Sequence, residues 1–122
     1  MIRRAVLLGI AGSMVVGPAL AHHSITMFDA ARMVTLSGTV KLFQWTNPHS
    51  FIQLLVPSET GTIEWSVEMG SPGSLYRGGW RPGTLKPGDK IKVVIHPNRD
   101  GTAGGLLKAA VAADGRRLGS QK

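Results

Sequence analysis

The sequence contains no cysteine among its 122 residues. Disulfides therefore cannot stabilise the protein, and thiol catalysis, iron–sulfur clusters and covalent haem attachment through a CxxCH motif are excluded. A small domain without disulfides relies on a compact core and on backbone pairing for its stability. This favours a closed β-structure, which leaves few unpaired strand edges.

Acidic residues are also scarce, with 7 Asp and Glu against 14 Lys and Arg, and the formal net charge is +7. The basic residues are dispersed, since Arg116 and Arg117 are the only adjacent pair after residue 21. Binding to nucleic acid needs a basic patch, whereas dispersed charge of this size is typical of ordinary solubility. We therefore expect no nucleic-acid partner.

The main apolar run, residues 5–17, is shorter than the roughly 20 residues that cross a bilayer. It follows Arg3 and Arg4 and precedes "PALA", with small residues at Ala19 and Ala21. This pattern is typical of a signal peptide that a peptidase removes. We predict a signal peptide over residues 1–21, a periplasmic location and no retained membrane anchor. A cut after Ala19 is the alternative, and removal of residues 1–21 lowers the net charge to +5.

Five later segments have the composition of β-strands: residues 33–45, 49–56, 62–69, 90–96 and 106–118. In the first, Val34, Leu36, Val40 and Leu42 alternate with polar residues, which is typical of a half-buried strand. Gly38 interrupts this strand and predicts a bulge or a sharp bend. Between the third and fourth segments, "SPGSLYR" predicts a short helical turn capped by Ser71, with Pro72 in its first position.

This order predicts an all-β fold, a small five-stranded OB-like barrel with a short helical insert between strands 3 and 4. We expect a signal peptide over 1–21, an N-terminal extended segment over 22–33, the barrel over 34–118 and a C-terminal tail over 119–122. A small β-sandwich or an open meander is the alternative.

Four histidines are candidate metal ligands: His22, His23, His49 and His96. If the cut follows Ala21, His22 carries the free α-amino group, and its amine and imidazole chelate a metal ion. If the cut follows Ala19, His22 is third in the chain, and the amine, two amides and the imidazole form a square-planar site. Copper(II) favours such nitrogen-rich tetragonal sites. His49 and His96 adjoin prolines at predicted strand ends, where they either converge with the N-terminal pair or remain separate.

Methionines and acids are further candidates for site residues. Met27, Met33 and Met69 have thioethers that suit copper(I), but methionines in strands are usually core filler, which is the interpretation we favour. Glu64 and Glu68 share one strand face about 13 Å apart at ~3.3 Å per residue. This exceeds the roughly 5 to 9.5 Å of a glycosidase pair.

No pattern in the sequence indicates an enzyme. It lacks the nucleophile elbow of α/β-hydrolases, a phosphate-binding loop and the closely spaced oxygens of a calcium loop. We therefore expect a non-enzymatic protein.

A second set of residues is a candidate for ligand or partner contacts: Trp45, Asn47, Glu68, Arg77 and Trp80. The two tryptophans fall at the ends of predicted elements, where they either form an aromatic rim that stacks on a flat ligand or plug the barrel. We favour the plug. Glu68 is expected to take part in a structural ion pair or a loop hydrogen bond, with Arg77 as a plausible partner.

Several segments together resemble a known family: "AHHSITMFD", "LSGTVKLFQWTNPHSFIQL", "EWSVEMGSPGSLYRGGW", "LKPGDKIKVVIHPNRDGTAGG" and "ADGRRL". They are similar to DUF6152, small exported bacterial proteins of unknown function, from Ala21 to Leu118. The resemblance implies secretion, a single domain and a β-barrel-like core, and it transfers no catalytic residue.

The sequence therefore supports two hypotheses about function. The first is an exported periplasmic binding or accessory protein that takes a copper-type metal through its N-terminal histidines. The second is an envelope-structural or protein-interaction module that binds another envelope protein through its Trp and Arg surface.

Overall fold

The computed structural model describes residues 25–119. After a 3₁₀ turn at Ile25–Met27, the elements are β1 (Val34–Gln44), β2 (Phe51–Ser58), β3 (Gly61–Glu68), α1 (Pro72–Arg77), β4 (Lys90–Pro97) and β5 (Gly104–Ala112). No helix within residues 25–119 is long and apolar enough to cross a membrane. The predicted signal peptide, His22 and His23 lie outside the described residues.

The five strands close into a barrel in the order β1-β2-β3-β5-β4, with β4 returning to β1. All neighbours are antiparallel except β3 and β5, which run parallel over three residue pairs, from Ser66↔Gly104 to Glu68↔Leu106. The short helix lies between β3 and β4. The predicted all-β, five-stranded OB-like barrel is thus confirmed, and the sandwich and meander alternatives are wrong.

The faces of β3 follow the alternation in its sequence. Trp65 and Val67 pair with Leu54 and Ile52 of β2 and join the core, as the apolar half of an alternating strand should. The polar residues of β3 lie on the outer face, where Ser66 accepts a hydrogen bond from the Gln53 side chain at 3.2 Å. The predicted inward orientation of Trp65 is therefore correct.

A bulge in β1 reverses the faces of its second half. The register with β2 shifts between Val40 and Leu42, so Lys41 is the extra residue. A bulge sets two residues opposite one and moves the following side chains to the other face. Leu42 is consequently 45% exposed, whereas Phe43 packs against the core. The prediction that Leu42 continues the inward face of the earlier apolar residues of β1 is wrong.

Strand β5 begins at Gly104, two residues earlier than the segment 106–118 predicted. A Cβ on Gly105 would lie 2.4 Å from the His96 carbonyl oxygen, and one on Gly104 would lie 2.9 Å from the Ser66 carbonyl oxygen. The glycines that look like loop residues in the sequence therefore serve as strand residues, because only glycine fits between β3 and β4 at this point.

The short helix α1 begins as its sequence predicts. Ser71 is the N-cap and its hydroxyl oxygen accepts a hydrogen bond from the Ser74 backbone N–H at 3.2 Å, with Pro72 in the first turn. Leu75 is buried and packs with Trp80 in the same cluster as the barrel interior. The cap and the apolar contact together hold a helix of six residues, which is too short to be stable alone.

We expect Ser71→Ala to lower the free energy of unfolding by about 1 kcal/mol, because the Ser74 N–H loses its acceptor. Ser71→Gly should cost only a few tenths of a kcal/mol, since solvent can reach the freed N–H. Urea unfolding of both variants measures the difference. Equal stability of Ser71→Ala and the parent protein would show that the cap contributes nothing.

Candidate functional site

His49 and Glu68 meet at the end of the barrel where β2 begins and β3 ends. The Nδ1 atom of His49 lies 3.0 Å from the Met69 carbonyl oxygen and 3.4 Å from Oε1 of Glu68. Backbone pairing continues past the strand ends, because Ser50 N–H donates to the Gly70 carbonyl oxygen and Met69 N–H donates to that of Ser50. The backbone hydrogen bonds between Ser50 and residues 69–70 therefore fix the position of the His49 imidazole.

Hydrogen bonds of Thr46 and Ser50 stabilise the turn that carries His49. The hydroxyl of Thr46 donates to the His49 carbonyl oxygen at 2.7 Å. The side chain of Ser50 is fully buried and accepts a hydrogen bond from the Thr46 backbone N–H at 3.3 Å. The Asn47–Pro48 peptide bond within this turn is cis. His49 thus lies in the turn before β2, and not inside the strand predicted over 49–56.

Glu68 is unusual among the outward-facing residues of β3, because it is only 9% exposed. A carboxylate withdrawn from water needs a charged or hydrogen-bonding partner, and His49 lies beside it. No ion pair joins Glu68 to Arg77 within residues 25–119, and Arg77 is exposed on α1. The side chain that lies beside Glu68 is therefore that of His49 and not that of Arg77.

The carbonyl oxygen beside Nδ1 decides the tautomer of His49. A carbonyl only accepts, so the Nδ1–H of His49 donates to the Met69 carbonyl oxygen, and Nε2 is the ring nitrogen that a metal ion would bind. Histidines that bind metals usually donate their second ring N–H to a carbonyl or a carboxylate in this way. His49 therefore has the orientation of a metal ligand that binds through Nε2.

His96 lies apart from this pair. It belongs to β4, and its Nδ1 atom is 2.6 Å from the Arg32 carbonyl oxygen. Leu106 of β5 pairs with both His96 and Glu68, which separates the two Cα atoms by about 10 Å, or two strand spacings. Within residues 25–119, no three His, Asp or Glu side chains lie close enough to hold a metal ion.

The N-terminal segment enters the barrel beside the β4–β5 connection. Phe28 is buried and forms a bridge with Asn98, while Arg99 N–H donates to the Met27 carbonyl oxygen at 2.9 Å. Asn98 N–H in turn donates to the carbonyl oxygen of Gly104, which pairs with β3. Met27 and Phe28 therefore lie on the side of the barrel where β3 and β5 run parallel.

The distance from the N-terminal segment to the His49–Glu68 pair is comparable to the length of the chain between His22 and Phe28. The path from Phe28 through the β4–β5 connection to Ser66 and Glu68 crosses three strand spacings and two residues along β3, a distance of about 16–20 Å. His22 precedes Phe28 by six residues, of which Ile25–Met27 form a 3₁₀ turn that rises only ~2 Å per residue, so this segment spans at most ~16 Å. His22 and His23 themselves lie outside the described residues.

The β4–β5 connection next to this segment is ordered by Asp100. Its carboxylate accepts hydrogen bonds from the hydroxyl and the backbone N–H of Thr102, at 2.6 and 2.9 Å. These hydrogen bonds, the hydroxyl first, lower the pKa of Asp100 below its ordinary value.

The aromatic candidates belong mainly to the core. Trp80 is 1% exposed, and its ring lies 6.0 Å from that of Phe43. Trp45 is half-buried and meets Phe43 edge to face at 5.9 Å. Trp80 therefore plugs the barrel and offers no ring to a partner, while Asn47 and Arg77 are exposed and remain candidates for contact.

Sequence reasoning missed two exposed features. Met27 and Met33 are 46% and 70% exposed, so the core interpretation is wrong for them and correct only for the fully buried Met69. Arg81 stacks on the exposed ring of Tyr76, with its guanidinium carbon 3.6 Å from the ring centroid. The five-residue spacing of this pair matches neither helix nor strand periodicity, so the sequence held no signal for it.

The chain matches the model of a known protein family. The model of a family of unknown function (DUF6152) matches residues 11–109, which include the turn of His49, the end of β3 and the Gly104–Gly105 step. No curated protein and no solved structure shows a significant match to the chain. The chain belongs to the DUF6152 family.

Proposed function

We propose that this protein is a non-enzymatic, exported binding protein that takes a copper-type ion at the barrel end formed by His49 and Glu68. The observation that carries the proposal is the orientation of His49, whose Nδ1 donates to the Met69 carbonyl oxygen beside the Glu68 carboxylate. In this role His49 supplies Nε2 to the metal, and Glu68 and the Met69 carbonyl fix the orientation of the ring.

The remaining ligands in this proposal come from the N-terminus. His49 is a single nitrogen donor, and a stable copper(II) site needs several nitrogens in a tetragonal arrangement. His22 and His23 supply two imidazoles, and cleavage after Ala21 adds the terminal amine. The positions of Arg3, Arg4, Ala19 and Ala21 in the sequence support export and this cleavage. The metal would therefore tie the N-terminal segment to the β1–β2 turn.

Copper(II) titration of the protein that begins at His22 tests the proposal, with His49→Gln as the variant and His96→Gln as its matched control. We expect His49→Gln to weaken binding at least tenfold, because a nitrogen ligand is lost. His96→Gln should leave the dissociation constant unchanged, since Leu106 of β5 lies between His96 and Glu68 and keeps His96 apart from the proposed site. Copper binding that is equally tight in the His49→Gln variant would refute the composite site.

A second form tests the contribution of the terminal amine. Three serines added before His22 move the amine away, and they place neither histidine third from the terminus, where a new amine–amide–imidazole site would form. We expect this form to bind copper(II) more weakly than the protein that begins at His22. Equal affinity would show that the terminal amine is not a ligand.

A further inference from the structure

Basic residues that are dispersed in the sequence come together on one outer face of the barrel. Strands β4 and β5 contain three lysines and no acid. In β4, Lys90 and Lys92 are exposed, whereas Ile91 and Val93 beside them are buried. Because side chains alternate along a strand, both lysines lie on the outer face, with their Cα atoms about 7 Å apart.

A bulge in β5 adds a third lysine to this face. The register between β4 and β5 shifts at one point, where Lys108 is the extra residue of β5. Leu107 and Ala110 are both buried in the core cluster. The two residues between them, Lys108 and Ala109, therefore both lie on the outer face, because a bulge sets two residues of one strand opposite one of its partner.

Arg117 supplies a fourth charge on the same face. Val111 of β5 pairs with Lys92 on one side and forms a bridge with Arg117 on the other. Residues that oppose each other in antiparallel strands project from the same face, and Arg117 is exposed. These three residues thus form a row about 10 Å long across the sheet. We call Lys90, Lys92, Lys108 and Arg117 together the basic face.

The cations of the basic face are not neutralised by acids in the part of the chain that the structure describes. None of the four forms an ion pair within residues 25–119. Asp89 and Asp114, the acids nearest to them in the sequence, accept hydrogen bonds from the backbone N–H groups of Lys86 and Arg116, each at 2.9 Å. Both carboxylates therefore stabilise their own turns, and the four cations are available to a partner.

Acids are concentrated on the other side of the barrel. The hairpin of β2 and β3, residues 51–68, contains Glu59, Glu64 and Glu68 and no Lys or Arg. In the order of strands around the barrel, β1 and β5 separate this hairpin from β4. The charge of the barrel is therefore asymmetric, and such a distribution steers a protein toward a surface of opposite sign.

The composition of the basic face favours a partner that presents phosphate groups on a flat surface. Ser37 and Thr39 of β1 pair with Lys92 and Lys90, so hydroxyl donors lie beside the ammonium groups. β4 and β5 contain no Phe, Tyr or Trp on which the bases of a nucleic acid could stack. The residues between the cations, such as Val111, are small, so a flat partner can approach the strands closely.

We propose that the basic face binds the surface of a bilayer that contains anionic phospholipids. The lysine ammonium groups and the Arg117 guanidinium donate charge-assisted hydrogen bonds to lipid phosphates, and each such residue strengthens binding to an anionic bilayer about fivefold. The contact is peripheral and places no apolar segment in the bilayer. It is also independent of the proposed copper site, because the basic face includes neither His49 nor Glu68.

Sedimentation with lipid vesicles tests the proposal on the protein that begins at His22, which contains the whole barrel and lacks the apolar run of residues 5–17. A chelator in the buffer removes any contribution from metal ions. At low salt, we expect vesicles of equal parts phosphatidylcholine and phosphatidylglycerol to sediment the protein, and vesicles of phosphatidylcholine alone to leave it in solution. High salt should release it, because exposed charges are screened. Equal sedimentation by both kinds of vesicle, or by neither, would refute the proposal.

Two double variants with the same net charge separate the basic face from the total charge of the protein. Lys90→Gln with Lys92→Gln should lower the partition coefficient onto anionic vesicles about 25-fold. Lys41→Gln with Arg99→Gln is the matched control, because both residues are exposed and lie outside the basic face. It should change the partition coefficient by no more than about twofold, since charges away from the bilayer are screened. Equal losses in the two double variants would show that the basic face is not the binding surface.

A soluble polyanion distinguishes the bilayer from an acidic polymer. At equal concentrations of anionic groups, we expect anionic vesicles to bind the protein more tightly than dextran sulfate, because a flat surface contacts all four cations at once. With bicelles of the same lipids, shifts of backbone amide resonances should centre on residues 90–94 and 108–117. Binding to dextran sulfate without binding to vesicles, or shifts centred on the hairpin of β2 and β3, would overturn the proposal.

Discussion

Replacing Trp80 with alanine is expected to lower the free energy of unfolding by about 3–5 kcal/mol. The indole is 1% exposed, is among the largest fully buried side chains and contacts Phe43 within the core cluster. Its removal leaves a cavity that the barrel closes only in part. For a domain of this size, each kcal/mol shifts Tm by roughly 4–8 °C, so thermal unfolding followed by circular dichroism detects the loss.

Trp80→Phe should cost much less than Trp80→Ala. The Nε1 atom of Trp80 is buried and has no hydrogen-bond acceptor within residues 25–119, and an unsatisfied buried donor costs about 1–3 kcal/mol. Phenylalanine removes this donor and keeps most of the ring, so the two effects oppose each other. Tyr76→Ala is the control, because Tyr76 is 57% exposed and its stacking with Arg81 at the surface contributes only about 0.5–1 kcal/mol. A Tyr76→Ala loss as large as that of Trp80→Ala would contradict this account of the core.

Gly38→Ala is expected to destabilise the protein by about 1–3 kcal/mol or more, as overpacking does elsewhere. The added Cβ would lie 2.4 Å from the Leu55 carbonyl oxygen and 3.0 Å from Cγ of Leu54. The closer contact is with backbone in the adjacent strand, so no side-chain rotation relieves it. β1 and β2 must separate, although β1 is held on its other side by β4.

Gly83→Ala is the matched control for Gly38→Ala, and its expected effect has the opposite sign. Nothing lies within 4 Å of a Cβ built on Gly83, and its φ is outside the left-handed region. Alanine should then stabilise the protein by about 0.4–1 kcal/mol, because the unfolded chain loses conformational freedom. Urea unfolding of both variants tests the pair. If Gly38→Ala and Gly83→Ala changed the free energy of unfolding by similar amounts, the contact with β2 would not explain the need for glycine at position 38.

Much of the fold was predictable because it depends on local chemistry. The alternation in β3 assigns Trp65 and Val67 to the interior, and the Ser71–Pro72 start predicts α1 with its cap. Both features depend on residues within a few positions of each other. The order of five strands with a helix after the third predicts the OB-like barrel from connectivity alone.

The sequence predicts a bulge or sharp bend in β1 at Gly38, but the register shift lies between Val40 and Leu42. Its position was not predictable, because it depends on how two strands fit together. The sequence alternates without a break through Val40 and Leu42, but β1 must curve to pair with both β2 and β4. The extra residue, Lys41, allows this curvature and places its ammonium group 3.0 Å from Oε2 of Glu64. Leu42 and Phe43 exchange faces as a consequence.

The sequence predicted which residue types form the candidate site, but it did not predict that His49 lies beside Glu68. His49 and Glu68 are 19 positions apart, and they meet only because β2 and β3 form one antiparallel ladder that continues past its ends. His96 has the same chemistry, and Leu106 separates it from Glu68. No spacing in the sequence distinguishes the two histidines.

The sequence by itself determined the strands, the capped helix, the inward face of β3 and the absence of any disulfide or thiol chemistry, because each depends on residue type and local periodicity. Only the tertiary structure decided the partner of His49, the burial of Trp80, the exposure of Met33 and the close approach of the Leu55 backbone to Gly38. The physical reason is that closure of the barrel determines which residues, distant in the sequence, come into contact and which side chains fill the interior. No single segment of the sequence contains this information.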